Sequence, residues 1–303
     1  MPEPRVTICI LHFLRHRLLE QYLQTLKRNV KIPYKVVVIN DGPDPIVYPD
    51  TKIRIANFTE KMKIGEKKRI CIEFVDTEYW CKLDNDIMVQ PRALEAQVRM
   101  LDIEPDVGVV SGITFWHGQP QHYFGAANFK ILGQYLIKIR QPLRKIFKWG
   151  QEGRLLYFDH VPEDHTTFRT KIFDDVSFDS NITLGYSHWD IFLQLYFTDW
   201  KSVIHHKSFF DHRHDESGEG YQSFRAGGWY KLIREGREYF IKKWDLIPVD
   251  WDVPTSTGKF LHFLNKHVEK IRCLYLKESR NLIPPQEKGG RRHENGIIRV
   301  QRH

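Results

Sequence analysis

The sequence is poor in cysteine and has no long apolar run. Its four cysteines, Cys9, Cys71, Cys81 and Cys273, stand far apart without a C-x-x-C pair. Neither a zinc knuckle nor a disulfide framework is indicated, and a reducing compartment is expected. The longest apolar stretches, VTICIL and VVVI, are of strand length, far short of the roughly 20 residues of a membrane span. The opening MPEPRVTICI lacks the basic, apolar and small-residue succession of a secretory leader. These features predict a cytoplasmic protein. No internal repeat is found.

What is present is charge and strand-forming sequence. The 303 residues carry 46 Lys and Arg against 38 Asp and Glu, a formal net charge of +8. That balance favours anionic partners, among them nucleic acid, phospholipid surfaces and nucleotide diphosphates. The basic residues are dispersed and match no nucleic-acid module, so no specific nucleic acid is expected. A hydrophobic content of 41% is ample for a packed core.

The first third alternates strand and helix signals. RVTICILHF reads as a buried strand, RHRLLEQYLQTLKRNV has helical spacing, and YKVVVIND is a second strand stopped by Asp41-Gly42-Pro43-Asp44-Pro45. TKIRIANF is a shorter strand, KIGEKKRICIEFVDT a helix, and EYWCKLDNDIMV a return to strand. PRALEAQVRMLDIE predicts a further helix and VGVVSGITFW a further strand. Such alternation implies a mainly parallel sheet covered by helices, with ligands at the carboxyl ends of the strands. NDG and DND both fall at such ends. On one strand, Asp84 and Asp86 as i and i+2 face the same side and converge on one cation. The competing reading is a surface turn, since Asp and Asn are turn formers.

In this order and spacing, VTICIL, INDGPD, KKRICI and DND resemble the signature segments of a GT-A fold glycosyltransferase, similar to the family 2 inverting enzymes. The resemblance implies an α/β fold, a Rossmann-like mixed sheet that binds a nucleotide sugar, flanked by helices. It also implies roles for residues. Asp41 would meet the nucleotide base, Arg69 the diphosphate, and Asp84 and Asn85 the donor, while Asp86, with Asp84, would bind a divalent metal, Mn²⁺ or Mg²⁺. KKRICI keeps the family's arginine but not the asparagine after it.

The second half extends the resemblance. IFDDVSFDS matches the segment that precedes the acceptor helix, and SHWDIFLQL matches that helix. His212 follows Asp190 at the spacing of the metal-binding histidine, with His214 as the alternative. Ser187 and His188 replace the family's Glu-Asp pair, whose Asp is the general base. Two assignments of the base stay open: Asp190, or His188, whose ordinary pKa of about 6.5 suits proton transfer near neutrality. Trp116, Tyr186 and Trp189 are candidates for stacking on a sugar ring.

The expected organisation is a catalytic domain over 1–220, divided into a nucleotide-sugar half (1–110) and an acceptor half (111–220). A helical extension and basic tail follow over 221–303. Residues 129–150 mix Leu, Ile, Phe and Trp with six Lys and Arg. They read as a helix, either of the core or able to rest on an anionic membrane at the periphery. The implied partners are a nucleotide sugar, with a UDP sugar as the leading donor, and a glycan or lipid-linked acceptor. The rival readings are a catalytically inactive relative kept for binding, and a basic nucleic-acid-binding protein or metal-dependent nuclease. A sugar nucleotidyltransferase would need a glycine-rich loop after the first strand, and ILHFLRHR has no glycine.

Overall fold

The computed structural model describes residues 3–120, 126–140, 155, 157–213 and 218–250. They lie in a compact unit, Met1–Asp252; a second unit, Val253–His303, falls outside the described residues together with the expected tail.

Strand β1 (Val6–His12) leads into helix α1 (His16–Asn29), and β2 (Tyr34–Asn40) and β3 (Ile53–Asn57) follow. Helix α2 (Ile64–Glu73) precedes β4 (Tyr79–Asp84), a two-residue turn and β5 (Ile87–Val89). Next come α3 (Ala93–Ile103), β6 (Val107–Trp116), β7 (Gln119–Pro120), and the pair β8 (Ala127–Leu132) and β9 (Tyr135–Arg140). Strands β10 (Tyr157–Phe158) and β11 (His165–Arg169), helix α4 (Ser187–Tyr196), strand β12 (Lys201–His212), helix α5 (Glu219–Trp244) and β13 (Ile247–Asp250) complete the described chain.

The main sheet runs β10-β12-β6-β11-β4-β1-β2-β3, with β5 paired to β12 and β7 to β6. Strands β1, β2, β3 and β4 are mutually parallel, whereas β11 is antiparallel to both β4 and β6. Alternation along β1 builds both faces. Val6, Ile8 and Ile10 pack with Leu18, Tyr22 and Leu26 of α1 and with Leu94 and Val98 of α3. Cys9 and Leu11 face the opposite way, towards Cys71 of α2 and Trp189, Ile191 and Phe192 of α4. A sheet strand buried on both faces reads as a continuous apolar run, which is why VTICIL shows no polar alternation.

The first turn of α2 packs against the backbone of 179–182 because Gly65 has no side chain. A Cβ there would stand 1.9 Å from the carbonyl oxygen of Asp179, and the Gly65 N–H donates to Ile182 O at 3.1 Å.

Two expectations are corrected here. The stretch 129–150 does not read as one helix: β8 and β9 form an antiparallel hairpin, which β13 joins in parallel as a three-stranded sheet. Gly133, with φ of 55°, makes the two-residue turn that the apolar content of this stretch concealed. Residues 141–150 lie outside the described residues, and the helical premise for membrane docking is lost over 129–140. In addition, α5 belongs to the first compact unit, which continues past 220 to Asp252. Thr183 Oγ1 donates to Leu232 O at 2.6 Å, and Lys243 reaches Asp179 at 2.9 Å. No described helix is long and apolar enough to cross a membrane.

Candidate active site

The parallel register places the ends of β1, β2 and β4 at one edge, pairing His12 with Asn40 and Leu11 with Asp84. Beyond these ends the chain must turn, and the turns carry the polar groups.

The DND segment is not one strand. Asp84 ends β4, Asn85 and Asp86 form the turn, and β5 begins at Ile87. The strand alternation expected for Asp84 and Asp86 therefore does not apply. Asp86 is buried and its Oδ2 is held by the Arg15 guanidinium. His212 Nε2 stands 3.5 Å from the same oxygen, because β12 pairs antiparallel with β5 and sets His212 opposite Ile87. Burial alone would raise the Asp86 pKa, but Arg15 and then His212 pull it down to about 2. Asp84 goes the other way, up to about 6. Burial raises it most, Lys82 offsets part of this, and the carboxylates of Asp164 and Asp86 add to the rise. Asn85 is fully buried, and its amide meets His12 Nδ1 at 2.8 Å. It shapes the turn from within the body, whereas the sequence placed it on the donor.

Asp41 is fixed by the turn that follows β2. Asn40 accepts from Gly42 N at 3.1 Å and donates to Asn57 Oδ1 at 2.8 Å. Asp41 is then turned inward, accepting from Met62 N at 3.0 Å and from Lys67 Nζ. The cation expected at Arg69 is elsewhere. Arg69 is 49% exposed and pairs with Glu73 one turn along the helix, while Lys67 and Lys68 point inward. On an α-helix each residue turns by about 100°, so Arg69 stands about 150° from the middle of the face that Lys67 and Lys68 share.

Two lysines join the edge at the ends of β1, β2 and β4 to the segment before β11 and to α4. Lys68 Nζ donates to Glu163 Oε2 at 2.6 Å and to Ser187 Oγ, the first residue of α4, at 2.7 Å. Lys82 Nζ lies 2.8 Å from Asp84 Oδ1 and 3.2 Å from Asp164 Oδ1. Sequence reasoning missed Arg15, Lys82, Glu163 and Asp164. The signal available was PED, an acidic pair following a proline immediately before a strand.

Asp190, one of the two candidate bases, is engaged by other side chains. It is 1% exposed, and its oxygens accept from Gln194 Nε2 (2.9 Å), Trp244 Nε1 (2.7 Å) and Lys243 Nζ (2.8 Å). These bonds turn it towards the end of α5. His188, next to Ser187 on α4, also feels the nearby lysines. Burial lowers its pKa well below the usual range, and Lys138 and Lys68 lower it further. Its ring lies 5.2 Å from that of His160. Trp189 is buried and stacked on Phe129 at 5.8 Å, a core contact, whereas Trp116 is 43% exposed at the end of β6. Tyr186 is half-buried beside Phe240, and His214 lies outside the described residues.

That strand-end edge has a roof. Tyr221 of α5 stacks on the Arg15 guanidinium at 4.4 Å, and the Lys61 ammonium sits between the rings of Phe13 and Phe224, 3.4 and 3.3 Å from their centres.

Among the described residues no three His, Cys, Asp or Glu side chains form a ready cluster for an ion. Asp86 and His212 nevertheless supply an adjoining carboxylate and imidazole, and Asp86 Oδ1 takes no hydrogen bond from a described residue. This donor pair suits a divalent cation whose remaining ligands come from phosphate and water.

No family profile matches the chain, and no curated protein does. Solved structures do. GalNAc-T7, determined with UDP, GalNAc and Mn²⁺, is 10% identical and similar over 79% of this chain and 51% of that one, with a TM-score of 0.56. The chain thus spans about half of that structure. The mannosyltransferase PcManGT from Pyrobaculum calidifontis, determined with GDP-Man and Mn²⁺, is 13% identical over 86% and 69%, with a TM-score of 0.52. TarS 1-349 of S. aureus is 12% identical over 78% and 72%, at 0.47. The fold is that of the GT-A glycosyltransferases.

Proposed function

We propose that the protein is a glycosyltransferase that moves a sugar from a nucleoside diphosphate, UDP in the first instance, to a hydroxyl of a glycan or lipid-linked acceptor. One observation carries this reading. In a GT-A fold, the strand register collects Asp41, Asp84, Asp86 and His212 at one edge of the sheet, with Arg15, Lys67 and Lys82 among them.

Asp86 and His212 would hold Mn²⁺ or Mg²⁺, as suits the Mn²⁺ named for GalNAc-T7 and PcManGT. The ion supplies charge neutralisation for the leaving diphosphate. Arg15 and Lys67 add fixed positive charge on the same side, where it needs no reorganisation during reaction. Asp41 lies at the end of β2, where the base of a nucleotide bound across the sheet would rest. The acceptor enters from the α4 side, past His188. A single displacement there inverts the anomeric carbon.

The test is nucleotide release from a panel of UDP-, GDP- and dTDP-sugars with Mn²⁺, with and without EDTA, beside Asp86→Ala. Metal-dependent release lost in the variant is the expected result. An absence of both release and donor binding by calorimetry would remove the reading.

A further inference from the structure

We propose that Asp164 is the carboxylate that takes the acceptor's proton. It belongs to the segment before β11, which Lys68 ties to the first residue of α4. The inference rests on the glycosyltransferase reading and adds a residue to it.

The start of α4 bears Ser187 and His188, and the one carboxylate of its first turn, Asp190, is bonded to α5. An acidic pair is nonetheless present against that turn. Lys68 Nζ binds Ser187 Oγ on one side and Glu163 Oε2 on the other, so a single ammonium ties the first residue of α4 to the Glu163–Asp164 pair. The antiparallel register of β11 and β4 sets His165 opposite Leu83, and the Asp84 N–H donates to Asp164 O at 3.1 Å. Asp164 is thereby abreast of Asp84, between the donor edge and α4.

Access separates Asp164 from Asp190 and Glu163. The Asp190 and Glu163 side chains are 1% and 3% exposed, and each is held by a lysine. The Asp164 side chain is 30% exposed; its Oδ1 accepts from Lys82, and its Oδ2 takes no hydrogen bond from a described residue. Asp164 stands ionised: burial would raise its pKa, but Lys82 first, then His165, His188 and Lys68, hold it below the usual carboxylate range. Burial first, then Lys138 and Lys68, keep the His188 imidazole neutral.

The step balances. The acceptor oxygen bonds to the anomeric carbon, the bond from that carbon to the diphosphate breaks with its electron pair leaving on the nucleoside diphosphate, and the hydroxyl proton passes to Asp164 Oδ2.

The experiment compares wild type, Asp164→Asn and His188→Gln with Mn²⁺ and the donor panel, using two nucleophiles. Water needs a base, while azide carries no proton and bypasses one. Calorimetry gives donor affinity. For Asp164→Asn we expect donor affinity within about 2-fold of wild type and nucleotide release to water down by roughly 10²–10⁴-fold. Glycosyl azide formation should persist within about 3-fold. Water-dependent release near the wild-type rate would overturn the proposal, as would equal loss with azide, or the azide-spared pattern appearing in His188→Gln instead. Wild type that binds a donor but releases nothing to either nucleophile also overturns it, since an open base activates water. Wild type that binds no donor removes the glycosyltransferase reading itself.

Discussion

Lys243 sets its ammonium 2.8 Å from Oδ1 of Asp190, clamping the last turn of α5 onto the first turn of α4. Trp244 Nε1 donates to the same oxygen at 2.7 Å. Asp190→Asn should therefore act on stability rather than on donor binding. It leaves a half-buried ammonium without its main partner, a loss of about 2 kcal/mol. Urea unfolding checks the loss, and calorimetry should return an unchanged nucleotide affinity.

Lys67 and Arg69, two residues apart on α2, should behave oppositely. Arg69→Ala removes an exposed pair with Glu73 and should alter stability by less than about 0.5 kcal/mol. Lys67→Met strands the buried carboxylate of Asp41 and should weaken UDP or GDP binding by about 10-fold or more. Titration of both variants with free nucleotide decides the matter. Equal weakening would return Arg69 to the site.

Acid should destabilise the fold earlier than its carboxylates alone require. Burial pushes His165 down to about 4, with the Gly112 carbonyl 3.1 Å from its Nε2, and pushes His205 to about 4 and His12 to about 3. The unfolded chain takes up these protons from about pH 6.5, while the folded chain resists until near 4. Their contribution is thus complete above about 6.5 and declines as the pH falls towards 4. The urea midpoint should drop across that window, and His165→Gln should flatten part of the slope.

Gly65→Ala should be among the most damaging small substitutions. Its Cβ would meet the Asp179 carbonyl at 1.9 Å, backbone against backbone, with no flexible side chain to yield. A loss of about 3 kcal/mol is expected, read as a lowered melting temperature.

The sheet was legible because its strands are short apolar runs closed by NDG and DND, and parallel register then fixed which ends met. Position along a helix was not legible from a motif match. KKR offered three cations, and the inward two were decided by the packing of Cys71 and Gly65 against the body. Asp190 looked free because its partners, Lys243 and Trp244, are more than 50 residues away in sequence. Asp164 was missed for the same reason, since its neighbour Asp84 belongs to another strand. The hairpin at 127–140 was hidden by residues that suit either element until Gly133 turned the chain.

Helix α5 reaches α4 at Lys243 and, at Tyr221, the strand-end edge over the Arg15 guanidinium. Its 26 residues span roughly 39 Å at about 1.5 Å per residue. A helix resists compression along its axis, so this one works as a spar between the two halves. Shortening it by a turn would leave one end or the other unmoored, even with every residue of the cleft intact.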